Sequence, residues 1–413
     1  MLLYIFLFLI AAEYGGLGYY LPIYSSLPIT LGFSAMLLIV VVSKHKVSEL
    51  LQYKLFTYTL IFILLTGLGA VHGLVKHYAI EPFKVQIGYF IFTIIIAYLV
   101  NDKKSFRLFT LVFTLIHAAL VIINVDKLGA ARVGFYQGGF FMGDGNDFGW
   151  SQNVAFPLAL HLAFTTKKAL YKYFFIGLSV IILIGIIGTQ SRGSTLALGT
   201  GLLYYLTFVS KKKVAGFSLL GAIVVGVILF SPANYFSRMG TIVDYEEDAS
   251  AMGRIKAWGT ALEMAVDHPI LGVGAGSFNS AYGRFYRTPD DPVRWISTHS
   301  VYFKVIAEYG FPGIIIFLLS IWHTIKLNRR TLALVLENQG RISIMPIWPH
   351  ALIWSTLTWA VCAAFLTGYL YPHLFLLMGL TLALHRMVLS EVEASDHQQV
   401  ETIEVKSRPQ YFS

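Results

Sequence analysis

A histidine, two distant arginines and a group of carboxylates stand where long apolar runs give way to polar sequence. His299, in STHSVYFKVIAEYGFPG, sits where the chain re-enters an apolar helix. Near neutral pH an imidazole can take a proton from a nucleophile and hold it. The competing reading is a helix-start histidine bonded to backbone. Tyr302, about one turn on, shares its face, and Glu308 lies deeper. Arg192 separates two apolar runs in GTQSRGSTLAL. An ionisable residue at such an edge faces the bundle interior or a water-filled cavity, with snorkelling at a helix end as the alternative. Arg254 lies one turn before Trp258 in AMGRIKAWGTALEMAVD. Asp144, Asn146 and Asp147 have three readings: orienting a bound ligand, pairing with an arginine, or, for Asp147, capping the span that begins near Phe148.

The type of base is informative. Residues 232–299 carry Arg238, Arg254, Lys256, Arg284, Arg287 and Arg294, whereas the short connectors elsewhere are lysine-rich. Orientation in a membrane needs only charge, but phosphate recognition favours the planar, forked guanidinium. Arginines gathered on one face therefore point to an anionic ligand at the membrane surface; solvated or headgroup-facing charges are the bland alternative. Other candidates read as structure. Asp290-Asp291 precedes Pro292 as in a turn, the acidic run 244–248 is surface, and the glycines of LGVGAGSF allow tight turns. His72 and His77 lack carboxylate support and are not read as a metal site. A single cysteine, Cys362, excludes an intrachain disulfide and sulfur-based metal sites.

The elements that must position these groups are membrane helices. Hydrophobic residues make up 56% of the 413 and charged residues 13%, with a mean hydropathy of +0.66. Soluble domains have roughly 45–50% apolar and about 25% charged residues. Apolar stretches of about 17–25 residues, long enough to cross the hydrocarbon core, recur from Met1 to Leu389. The expected fold is an all-α polytopic membrane protein of about twelve spans: 1–22, 26–43, 55–75, 85–101, 106–125, 148–165, 172–189, 194–210, 214–231, 300–326, 346–367 and 373–389. The first has no basic n-region or cleavage site and reads as a retained helix; Glu13 and Gly15-Gly16 suggest that it is kinked or short. Residues 1–390 form one membrane domain that includes the large outer loop 232–299, and 391–413 form a polar tail expected to be disordered in the cytoplasm. Lysine-rich connectors near 44–54, 103–107, 167–172, 211–213 and 326–341 fall on one side, which the positive-inside rule makes the cytoplasm. The net charge of +9 is spread between apolar runs, which argues against nucleic acid. Within the outer loop, 251–267 has helical periodicity, with Ser250 as N-cap and an apolar face of Ile255, Trp258, Leu262 and Val266. That helix is expected to lie against the membrane domain with Arg254 inward.

Three segments in order, SRGSTLAL (191–198), GRIKAWGTALEMAVDHPILGVGAGSF (253–278) and THSVYFKVIAEYGFPG (298–313), resemble the O-antigen ligase and O-antigen polymerase superfamily of bacterial inner-membrane proteins. FFMGDGNDFGWSQNVAFPLAL (140–160) is similar to a segment of ligases associated with exosortase systems. The resemblance implies a C-type glycosyltransferase fold, an undecaprenyl-pyrophosphate-linked glycan donor and an active site facing the periplasm. It further implies transfer to a hydroxyl of lipid A-core, protein or glycan, with inversion and with neither metal nor cofactor. Carried over by position, Arg192 and Arg254 hold the pyrophosphate and His299 is the base. Arg132 becomes a further donor-binding candidate, and Asp147 and Tyr302 further substrate-binding candidates. The family often has asparagine after this histidine; here it is Ser300, which puts any role for that amide in doubt. A polysaccharide polymerase is the alternative on the same fold. A lipid-linked glycan transporter is the alternative from another class, disfavoured because the ionisable groups gather on one face rather than at mid-membrane.

Overall fold

The structure is a computed structural model and describes residues 1–21, 29–74, 76–129, 141–210, 218, 221, 249–288 and 295–407. These are almost entirely helical, and no strand is present among them. In chain order the main helices are α1 (Leu2–Gly15), α2 (Ile29–Lys44), α3 (Lys54–His72), α4 (Ile80–Leu99), α5 (Lys103–Ile123), α6 (Gly145–Thr165) and α7 (Ala169–Gly188). Then follow α8 (Arg192–Tyr204), α9 (Ala249–Asp267), α10 (Val301–Glu337), α11 (Ile347–Ala363) and α12 (His373–Ser407). Helices α4, α5, α7, α10 and the part of α12 up to Gln398 are long and apolar enough to cross a membrane. Leu2–Gly15, Ile29–Lys44 and Lys54–Gly69 are shorter apolar helices. The chain is a multi-pass helical membrane protein. The span expected at 214–231 lies outside the described residues.

Local chemistry sets the helix ends. Helix α1 stops at Gly16, whose φ of 63° closes it, so the Gly15-Gly16 pair does shorten this element. Its Glu13 accepts a hydrogen bond from Tyr89 on α4 at 2.7 Å, which gives the carboxylate a partner inside the bundle. Helix α5 begins with a reciprocal capping box in which the Ser105 amide donates to Asp102 and the Asp102 amide donates to the Ser105 hydroxyl. Helix α10 is broken at Gly310, at φ 68° and ψ −168°, two residues before Pro312. Only glycine takes that backbone readily, and a side chain there would strike the carbonyl of Pro269.

The basic connectors gather at one end of the bundle. Tyr98 donates to the Lys46 carbonyl, Arg107 to the Thr165 carbonyl and Lys103 to the Ser343 carbonyl. From Glu391 the chain departs from the expected disordered tail, because α12 continues to Ser407. Its polar turns from Glu391 on are tethered by Ser343 donating to Glu391 and by an Arg341–Asp396 ion pair. A polar helix continued from a spanning one needs no new nucleus, and these side-chain ties hold it.

At the opposite end, the described part of the long 232–299 segment is a packed layer on α10. Helix α9 begins at Ala249, so Ser250 lies inside it rather than at its cap. Ala257, Ala261 and Met264 are buried and share a small core with Val273, Phe278 and Ala307, and Ala265 is buried too, while Ile255, Leu262 and Val266 are exposed. The expected apolar face is therefore turned outward. Small side chains allow the close approach of α9 to α10, leaving the larger apolar groups to cover the outside, where lipid rather than water is compatible with them.

Candidate functional site

His299 immediately precedes α10 in a short turn held from both sides. The Thr298 hydroxyl donates to the Ser300 carbonyl at 2.9 Å, and the Ser300 amide points back to that hydroxyl at 3.5 Å. The Thr298 carbonyl in turn accepts from the Trp258 indole on α9 at 2.7 Å. That indole is stacked on Phe303 at 4.9 Å between ring centroids and 7° between planes. Trp258, expected to be one member of an apolar face, thus ties the helix carrying Arg254 to the residue beside His299. Between these fixed neighbours His299 adopts a left-handed φ of 45°, a conformation uncommon for a non-glycine residue.

The imidazole is exposed on one side. Arg254 and Asp144 are close enough for their charges to act on it. Burial of the rest of the ring, and next the Arg254 guanidinium, hold its pKa below the usual value of 6.5, while Asp144 pulls the other way. Residues more than a hundred positions apart in sequence thereby act electrostatically on one imidazole.

Asp144 is also the N-cap of α6, accepting from the amides of Asn146 at 2.7 Å and Asp147 at 3.0 Å. Capping, expected of Asp147, belongs to the residue three before it. The spacing Asp144-Gly-Asn-Asp147 carried that signal, because a cap is followed three positions later by an acceptor side chain. Asp147 itself hydrogen-bonds with the Tyr371 hydroxyl. Tyr302 is half-buried, and its hydroxyl donates to the Ala360 carbonyl at 2.7 Å, joining α10 to α11.

Arg192 is the first residue of α8 and is half-buried. The turn before it is fixed by Gln190, at φ 52°, whose amide donates to the Gly129 carbonyl at 2.7 Å; Gly129 donates to Gly188. The first turn of α8 lies against α6 at Gly149, where a side chain would collide with Ser194, and Asn153 donates to the Ser194 carbonyl. The first turns of α6 and α8 are thus packed together, with Asp144 capping one and Arg192 opening the other. A cation at a helix N-terminus opposes the helix dipole by about 0.3–1 kcal/mol. An anion at the same place satisfies both the helix end and the guanidinium. Arg132, Arg238 and Arg294 lie outside the described residues; Arg284 is exposed and Arg287 half-buried.

The glycine-rich stretch is a turn that seats α9 on α10. Gly272, Gly274 and Gly276 have φ of 62°, 99° and 69°. Val273 and Gly274 donate to the carbonyls of Ala307 and Glu308, and Leu74 after α3 donates to Val273. A side chain at Gly272 would run into the Glu308–Tyr309 peptide. The fully buried Glu308 accepts from the amides of Gly276 at 2.9 Å and Phe278 at 3.1 Å and from Tyr369 at 2.9 Å. Sequence placed Glu308 deeper than His299 but gave it no task; the three glycines one helix away were the available signal.

A multi-pass helical membrane protein with a histidine–arginine–carboxylate site at one end of the bundle is the class these elements define. Residues 177–318 match the family model of O-antigen ligase. That stretch contains Arg192, Arg254 and His299 and all three ordered motifs, so the resemblance to the O-antigen ligase superfamily is borne out there. The 140–160 segment lies outside the match. No curated protein matches the chain.

Proposed function

We propose that this protein transfers a glycan from an undecaprenyl-pyrophosphate donor to an acceptor hydroxyl at the periplasmic face of the bacterial inner membrane. The observation that carries this reading is that the charges of Arg254 and Asp144 both act on His299, with Arg254 and His299 inside the stretch similar to O-antigen ligases. In the proposed step the acceptor oxygen attacks the anomeric carbon from the side opposite the pyrophosphate. The bond from that carbon to the pyrophosphate oxygen breaks, and its electron pair leaves with undecaprenyl pyrophosphate. The acceptor proton passes to His299, whose depressed pKa keeps it a free base at neutral pH. A glycosyl pyrophosphate already has a good leaving group, so the remaining task is to steady its growing charge. Arg192 and Arg254, with Arg132, take that task, since preorganised charge near a developing anion is a large catalytic term. Asp147 and the Tyr302 segment border the acceptor side, and neither metal nor cofactor has a role in this scheme.

The test is transfer from purified undecaprenyl-pyrophosphate glycan in detergent with EDTA, comparing wild type with His299→Ala. Transfer by wild type and its loss in the variant supports the scheme; undiminished transfer by the variant removes His299 as the base. Supplying lipid-linked glycan as the only acceptor separates polymerase from ligase, and the same substitutions measured for movement of donor across vesicles test the transporter alternative.

A further inference from the structure

The end of the bundle remote from His299 holds a concavity that glycan transfer does not use. Three clefts lie beside one another between the start of α3 and the last turns of α10. The first, of about 410 Å³, is lined by Tyr53, Lys54, His323, Lys326 and Arg330. A second, of about 480 Å³, shares Tyr53 and Arg330 and extends toward His385 and Glu337. The third, of about 350 Å³, lies along α10 among Trp322, Lys326, Arg329 and Arg330.

Lys54, Lys326, Arg329 and Arg330 are all exposed, and among the described residues none is joined to a carboxylate in an ion pair. Glu337, at the far edge, is the acidic residue of the group. Orientation in the membrane explains why bases stand at this end. It does not require them to line a concavity with an apolar floor, which here is Leu55 and Leu327, both buried. The depth is also specific. Lys326 follows directly on the apolar stretch 314–325 of α10, and Trp322, 56% exposed, stands one turn before it, as an aromatic at the headgroup level does. The site therefore presents forked and point charges at headgroup height beside a surface fit for an acyl chain.

We propose that this cleft binds the phosphate headgroup of an anionic phospholipid of the cytoplasmic leaflet, with Lys326, Arg329 and Arg330 on the phosphate and the chain along Trp322. Basic pockets between membrane helices on that side are suited to such headgroups. A soluble phosphate shares the charge chemistry but has no use for the apolar floor. The proposal stands apart from the transfer reaction and does not depend on it.

The experiment is native mass spectrometry and thermal melting of delipidated full-length protein. The added probes are phosphatidylglycerol, phosphatidylcholine with the same chains, or inorganic phosphate. Phosphatidylglycerol should remain bound at least about tenfold better than phosphatidylcholine and raise the melting temperature, with inorganic phosphate ineffective at equal concentration. Lys326→Gln/Arg330→Gln should lose that preference, while Lys167→Gln/Lys168→Gln, at another basic connector, should keep it. Equal retention of the two lipids by wild type overturns the proposal without any variant, and so does an unchanged preference in Lys326→Gln/Arg330→Gln. Displacement of the lipid by inorganic phosphate at equal concentration overturns the lipid assignment.

Discussion

At the scale of the residue, the charges around His299 make predictions that a helix-start histidine does not. His299→Ala should lower the transfer rate by about 10²–10⁴-fold while donor still binds. Because the base works in its neutral form and its pKa lies below 6.5, wild-type kcat/KM should hold its plateau to pH values under that figure and fall only below. The sign for each neighbour follows from its charge. Arg254→Gln removes a positive charge that disfavours the imidazolium, so the pKa rises and the acid limb moves to higher pH. Asp144→Asn removes a negative charge that favours it, so the limb moves to lower pH. Asparagine caps helices about as well as aspartate, which leaves α6 intact for that measurement. Two limbs that stay where wild type has them would show that neither charge acts on the base.

At the scale of the element, the support for the site is two helices and the turn between them. Trp258→Phe keeps the stack on Phe303 and loses the hydrogen bond to Thr298. It should cost about 0.5–1.5 kcal/mol by denaturant melting and lower kcat more than donor affinity, because His299 loses its fixed carbonyl neighbour. Gly272→Ala should be far worse, since its methyl has nowhere to go but the α10 backbone; limited proteolysis within 249–288 reads that loss. At the other end of the bundle, Asp102→Ala removes one half of a capping box and should cost about 1 kcal/mol. Much of this layer was legible in sequence. The motif pairs Arg254 with Trp258, and the glycine turn was marked by residue type. Two features were not. The outward face of α9 was misread because periodicity shows that a helix has two faces, not which one a neighbour takes; Ala257 and Ala261 decided it by their size. The cap of α6 was assigned to Asp147 because the expected span began at Phe148, which placed the boundary three residues late.

At the scale of the whole molecule, composition alone was enough for a helical membrane protein, because no soluble core tolerates so few charges. The lysine pattern already put Arg192, Asp144 and His299 on one face, but that the charge of Asp144 acts on His299 was out of reach of sequence, since nothing in spacing relates the start of α6 to the start of α10. The orientation has a direct test. Cys362 is fully buried, so the native chain should not react with a membrane-impermeant maleimide. Glu263→Cys, at an exposed polar position of α9, should label from the periplasmic side of intact spheroplasts, and Gln339→Cys only after the membrane is opened. The reverse pattern would invert the topology and put the transfer site in the cytoplasm.

The left-handed backbone of His299 separates function from durability. The left-handed region costs an ordinary L-residue about 1–2 kcal/mol, and asparagine and histidine tolerate it better than alanine does. His299→Asn should therefore melt above His299→Ala and close to wild type, and on the proposed role both variants lose transfer. On the proposed role, a lineage released from this reaction would lose no stability by exchanging the histidine for asparagine, so at position 299 only the chemistry favours the imidazole.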